Sequence, residues 1–265
     1  ASGTISHIAL PTVTVNSSMV CAGASATVTA TPGSGAASDY NYAWTVPVGA
    51  SVQSNTTSTF TTTTAGTYSV IVTSKVGSCA SVSASGVVTA NALPTVTVNS
   101  PSICAGASAT VTATPGSGAA SDYNYVWSVP AGAAAPGNVS FFSTTTVGLY
   151  NVVITNKVTS CSSSITSGNV TANALPTVIV NSSIVCAGAS ATVTATPGSG
   201  VAGDYSYAWS VPGGASAPGN VSTFSTTIAG IYSVIITKTS TGCVSTSASG
   251  TISHIALPTV TVNSS

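Results

Sequence analysis

Charge is almost missing from this sequence. Its 265 residues hold three Asp and three Lys, with no Glu and no Arg, so that 2% are charged where a globular chain has ~25%. A nucleic-acid binder needs a basic stripe to neutralise phosphates, and none exists. The same shortage excludes attraction to anionic membrane surfaces. Paired carboxylates for glycoside chemistry are absent, and single aspartates at Asp39, Asp122 and Asp204 cannot gather the oxygens that calcium requires. Histidine occurs twice, at His7 and His254, too thinly for a catalytic triad. No Cys-x-x-Cys pair is present, which argues against zinc. No apolar run approaches the ~18 residues of a membrane span. No helical period appears, so no phosphate loop can precede a helix. These absences leave no expected enzyme activity, metal or cofactor, no nucleic-acid partner, and no membrane insertion in this segment.

What the sequence has instead is repetition. Cys21, Trp44, Gly66, Tyr68 and Cys79 return as Cys104, Trp127, Gly148, Tyr150 and Cys161, and again as Cys186, Trp209, Gly230, Tyr232 and Cys243. Cysteine to tryptophan is 23 residues and tyrosine to cysteine 11 in every copy, whereas tryptophan to tyrosine is 24, 23 and 23. A fixed period marks one structural unit per copy. Leu10-Pro11, Leu93-Pro94, Leu175-Pro176 and Leu257-Pro258 mark the cuts, giving units over 10–92, 93–174 and 175–256. Residues 1–18 recur unchanged as 248–265. The expectation is a stretch of a longer array, with 1–9 as the last strand of a preceding repeat and 257–265 as the first strand of a following one.

Within the first unit, residues 12–16 alternate as a short strand that Asn16, Ser17 and Ser18 break. Residues 25–32 follow with Ala26, Val28 and Ala30 on one face. Tyr40, Tyr42 and Trp44 share one side of a strand ended by Pro47. Phe60 lies on a short strand among threonines, residues 68–74 put Tyr68, Val70 and Val72 inward, and 80–90 close the unit. The fold class is all-β: seven short strands in ~80 residues with turn signals between them describe a two-sheet sandwich. Small inner residues imply a thin core resting on Trp44, Tyr68, Trp127, Tyr150, Trp209 and Tyr232. Ile71, Val153 and Ile235 fall on the outward face of the sixth strand and are candidates for lateral contact.

Tyr42-Ala43-Trp44 on one strand and Gly66-Thr67-Tyr68 opening another resemble the signatures of immunoglobulin-like and PKD-like sandwiches. With Cys21-Ala-Gly and Gly77-Ser-Cys79, the units are similar to the cysteine-bearing Ig/PKD-like repeats of Bacteroidota surface proteins. Those include gliding-motility adhesins exported by the type IX pathway. The acidic Gly-Asp-Gly turn of the PKD pattern is missing; Val46-Pro47-Val48-Gly49 stands there. The resemblance implies a tandem array of sandwiches at the extracellular cell surface.

Six cysteines at fixed positions in a Ser/Thr-rich chain point to disulfides. Two pairings remain open. Within units, Cys21 would join Cys79, Cys104 join Cys161, and Cys186 join Cys243. Strand order favours another: the turn before the 25–32 strand and the turn after the 68–74 strand lie at opposite poles, more than ~20 Å apart, too far for the ~7 Å reach of a disulfide. Head-to-tail stacking would instead pair Cys21 with Cys161 and Cys104 with Cys243. That leaves Cys186 and Cys79 to bond beyond these residues.

The functional expectation is a structural stalk or filament segment of a long extracellular repeat protein, a surface adhesin, partnered chiefly by its own neighbouring repeats. Two alternatives stay beside it. A carbohydrate- or other ligand-binding module predicts exposed aromatics clustered on one loop set. A self-assembling sheath predicts broad lateral self-association through the outer faces.

Overall fold

The computed structural model describes residues 8–262; residues 1–7, including His7, and 263–265 lie outside the described residues. The first unit runs β1 (Val13–Val15), β2 (Ser18–Cys21), β3 (Ala26–Pro32), β4 (Tyr40–Thr45), β5 (Thr59–Thr62), β6 (Gly66–Ser74) and β7 (Ala84–Asn91). The second has β8 (Val96–Val98), β9 (Ser102–Cys104), β10 (Ala109–Pro115), β11 (Tyr123–Ser128), β12 (Phe141–Thr144), β13 (Gly148–Asn156) and β14 (Thr166–Asn173). The third has β15 (Val178–Val180), β16 (Ser183–Cys186), β17 (Ala191–Pro197), β18 (Tyr205–Ser210), β19 (Thr223–Thr226), β20 (Gly230–Lys238) and β21 (Ala248–Ile255). Residues 257–262 form no strand.

Each unit is two sheets face to face, of order β1-β3-β5 and β2-β7-β6-β4, repeated as β8-β10-β12 with β9-β14-β13-β11 and β15-β17-β19 with β16-β21-β20-β18. This is an all-β, immunoglobulin-like sandwich. Neighbouring strands pair antiparallel except β2 with β7, β9 with β14 and β16 with β21, which are parallel. The Asn16-Ser17-Ser18 interruption is shorter than the sequence reading allowed. It is a step between sheets: β1 edges one sheet and β2, starting at Ser18, edges the other. Asn16 makes the step possible by acting as a strand residue with its side chain. Its amide donates to the Thr27 carbonyl at 2.9 Å and its Oδ1 accepts from the Thr29 N–H at 2.6 Å. Asn99 and Asn181 repeat both bonds on β10 and β17.

Alternation places Ala26, Val28 and Ala30 of β3 inside and its threonines outside. β6 turns Tyr68, Val70 and Val72 inward, all 1% exposed or less. The core of a unit has two parts. One gathers Ala30, Tyr40, Tyr42, Val70 and Val72, the other Ala26, Val28, Tyr68 and Val88, and Trp44 packs against both. Tyr68, Tyr150 and Tyr232 are 0% exposed, whereas Trp44, Trp127 and Trp209 are half-buried. The reason is hydrogen bonding: each indole sits near the sandwich flank, where Nε1 donates to a loop carbonyl at 2.8 Å, that of Thr57, Val139 or Val221. Phe60 links the two rings, 5.0 Å from Trp44 edge-on and 5.7 Å from Tyr68.

Those indole bonds also locate the extra residue of the first copy. From Asn138 to Val139 is one step, and from Asn220 to Val221 one step, but from Asn55 to Thr57 two. The consequence is visible on the open edge of the tyrosine strand. The Tyr125 and Tyr207 N–H groups donate to Asn138 and Asn220 side chains, while the Tyr42 N–H takes the Asn55 backbone carbonyl. In every unit the loop covers part of an edge that would otherwise be free to pair with another chain.

Gly86 on β7 faces inward, and a Cβ there would fall on the Asn16 carbonyl at the step between sheets. Gly86→Ala should therefore destabilise the first unit by ~1–3 kcal/mol through overpacking, read as an earlier melting transition in calorimetry. The tyrosines of the β4-type strands give a second expectation. Burial foremost raises the Tyr42, Tyr125 and Tyr207 hydroxyls above their ordinary 10.0, with Tyr40 or its counterparts and the nearby aspartate adding to it; at Tyr42 the Ser58 side chain pulls the other way. The folded state thus holds these protons longer than the unfolded chain. Their contribution is fully present below about pH 10 and is lost as pH rises through the folded-state values. Denaturation midpoints should fall above about pH 10, with the tyrosinate absorbance near 295 nm rising as the units open.

Candidate functional site at the stapled junctions

The parallel pairing of β2 with β7 decides where the cysteines stand. Cys21 ends β2 opposite Asn91, the last residue of β7, and the Ala22 N–H donates to the Asn91 carbonyl at 2.8 Å. Cys21 thus lies at the pole where the chain leaves for the second unit. Cys161 follows β13 in a tight turn: the Asn156 N–H donates to the Cys161 carbonyl at 2.9 Å, and Ser160 takes a left-handed φ of 58°. That turn lies at the opposite pole of the second unit, facing the first. The two sulfurs are joined, with Cα atoms 5.5 Å apart. The next junction repeats the arrangement. Cys104 ends β9 opposite Asn173, Cys243 follows β20 in the turn closed by the Lys238 N–H, and their Cα atoms are also 5.5 Å apart. Cys161 and Cys243 are fully buried. Cys79 is half-buried and Cys186 exposed, and both are free thiols.

The other candidate residues lie away from the junction bonds. Ile71 and Ile235 are 40% and 39% exposed on the outward face of their sheets. Val153 is half-buried, since it shares a shallow apolar groove with Val126, Trp127 and Ile165. The counterparts of Val126 and Ile165 are Ala43 and Ser83 in the first unit and Ala208 and Ser247 in the third, which makes this groove particular to the second. All nine tyrosines are buried, and Phe141 is the exposed aromatic, at 64%.

The aspartates and lysines hold turns. Asp39 Oδ2 accepts from the Ala36 N–H at 2.8 Å, and the Lys75 ammonium donates to the Ser38 carbonyl at 2.7 Å. Asp122 and Lys157 do the same. The third unit departs from this. Lys238 faces Tyr205 in the strand ladder, where Ser74 and Asn156 stand in the other units, and Thr239 takes the place of Lys75. The lysines are therefore not one repeated position. Sequence reading took Asn16 for a strand breaker and missed the role it shares with Asn99 and Asn181, which set the step between sheets; their recurrence beside the first strand was the available signal. Among the described residues no helix is long and apolar enough to cross a membrane, and no cluster of three or more metal-ligating side chains occurs.

No protein-family model and no curated protein matches the chain. Solved structures of similar fold include an I-band fragment from titin, at 12% identity and a TM-score of 0.44 over 94% of this chain and all of that one. Another is the Dpr2 Ig1-Ig2 and DIP-Theta Ig1-Ig3 complex, at 14% identity and a TM-score of 0.32 over 93% of this chain and all of that one. A third is the N-terminal four Ig domains of Dscam1, at 13% identity and a TM-score of 0.27 over 91% of this chain and 72% of that one. These are tandem Ig-domain proteins, and the fold of each unit here stands on its own strand order: an Ig-like repeat.

Proposed function

We propose that this chain is a load-bearing stalk segment of an extracellular surface adhesin, built of repeats over 10–92, 93–174 and 175–256 with 1–9 and 257–265 belonging to the adjoining repeats. The observation that carries the reading is the pair of disulfides between consecutive units. A bond inside a domain strengthens that domain; a bond between domains fixes how they sit and how far they can part. Such bonds persist in oxidising surroundings outside the cell. Near-absence of charge fits the same use, because adjoining units need no long-range attraction or repulsion once covalently held. Burial of every tyrosine favours this reading over a glycan-binding module, which would present aromatic faces to sugar.

The sheath reading keeps one supporting feature, the groove at Val126, Val153 and Ile165. Electron microscopy of material isolated without reductant separates the two. Single thin fibres that bend more freely after reduction are the expected result. Sheets or bundles held through the faces of the second unit would overturn it in favour of a sheath.

A further inference from the structure

Cys79 and Cys186 stand at staple positions without a partner. Cys186 ends β16 in parallel register with Ile255, as Cys21 ends β2 beside Asn91 and Cys104 ends β9 beside Asn173. It is the forward half of the same bond. Cys79 follows a left-handed Ser78, φ 54°, and its carbonyl accepts from the Ser74 N–H at 2.9 Å, as in the Cys161 turn. It is the backward half. A second observation concerns what already lies on the Cys79 turn. A Cβ at Gly77 would come 2.7 Å from Ile8 Cδ1 and 4.0 Å from Cys79 Sγ. Ile8 holds the repeat position of Asn91 and Asn173, the residues that carry Cys21 and Cys104 in register. The strand end that elsewhere brings the forward cysteine is therefore seated beside Cys79.

We propose that Cys79 bonds the forward cysteine of another unit of this kind, and Cys186 the turn cysteine of another, so that the staple runs on through both ends of the three units. Opposite halves at opposite ends make the contact heterologous, which extends indefinitely rather than closing. The partner is an Ig-like unit carrying the matching thiol, in the same polypeptide or a second copy. Each bond forms by exchange: two thiols give two electrons and two protons to a small disulfide, which leaves as two thiols. The inference rests on the stalk reading and deepens it.

The test uses the chain purified without reductant, equilibrated with oxidised and reduced glutathione, alkylated and mapped as non-reduced peptides. The segments around the six cysteines differ in sequence, so each is assignable. Expected is the loss of both free thiols, with the Cys186 peptide joined to a turn-type cysteine peptide. A ladder on a non-reducing gel identifies a second copy as the source. A single band with the same link in a chain that carries the adjoining repeats identifies one polypeptide, whereas a Cys79–Cys186 ring closed within the three units overturns the inference. Mixing Cys79→Ser with Cys186→Ser chains should give dimer where neither variant alone does. Free or glutathione-capped Cys79 and Cys186, or Cys186–Cys186 dimers from the Cys79→Ser chain alone, overturn the inference. Absence of Cys21–Cys161 and Cys104–Cys243 from the same map would instead overturn the stalk reading.

Discussion

Pulled by its ends, the oxidised chain should extend to about a third of the length of the reduced one. The shortest covalent path enters from residue 8 to Cys21, crosses to Cys161, runs back to Cys104, crosses to Cys243 and leaves at residue 262. Its three stretches are 13, 57 and 19 residue steps, against 254 for the open chain. At ~3.5 Å per residue the limits are ~310 Å and ~890 Å. Residues 22–103 and 162–242 fall outside the load path, so most of the first and third units is shielded while the second bears the force. Single-molecule pulling before and after reduction measures both limits. Cys186→Ser is the sharper control. With the bonds between units it leaves the oxidised limit unchanged. Bonds within units would let it lengthen by ~200 Å, the 57 residues released from the third unit's loop at the same rise. Extension of the oxidised chain to the reduced length would refute the load-path account.

Removal of the enclosed tyrosine is the other large effect. Tyr68 is fully buried, and its hydroxyl makes 2.8 Å hydrogen bonds with Thr62 Oγ1 and to the Thr64 carbonyl, pinning the turn that enters β6. Tyr68→Ala empties the space beneath Phe60 and should cost ~3–5 kcal/mol, a large share of the ~5–15 kcal/mol that holds a domain folded. Tyr68→Phe keeps the ring and leaves the turn carbonyl short of a donor, at ~1–3 kcal/mol. Because three units unfold in one chain, a single melting temperature is not defined. The expected signature is one calorimetric transition moving down while two stay, with the same pattern for Tyr150 and Tyr232. Equal shifts for Phe and Ala would mean that the hydroxyl, not the ring, holds the core.

Much of this molecule is readable from residue order because it is written three times. The alternation in residues 25–32 and 68–74 and the turn signals between strands give an all-β sandwich, since a period of two allows only one face to be buried. The short strands escape that logic. Ser18–Cys21 carries no alternation strong enough to register, and it pairs with β7 some 70 residues downstream, a contact local pattern does not encode. Asn16 looked like a breaker because its side chain, not its backbone, completes the ladder on β3. The indole looked like the centre of the core because it is the largest apolar group, yet its N–H requires a carbonyl and the loop near the flank supplies one.

By itself the sequence determined the unit, its two-sheet character, the near-neutral surface and the cysteine positions, because each follows from composition or spacing. The tertiary structure decided which cysteines meet. The cysteines hold the same repeat positions in every copy, and the strand order expected from sequence favoured bonds between units without excluding bonds within them. The choice turns on the parallel strand β2 carrying Cys21 to the exit pole of its own unit, within reach of the next one's turn.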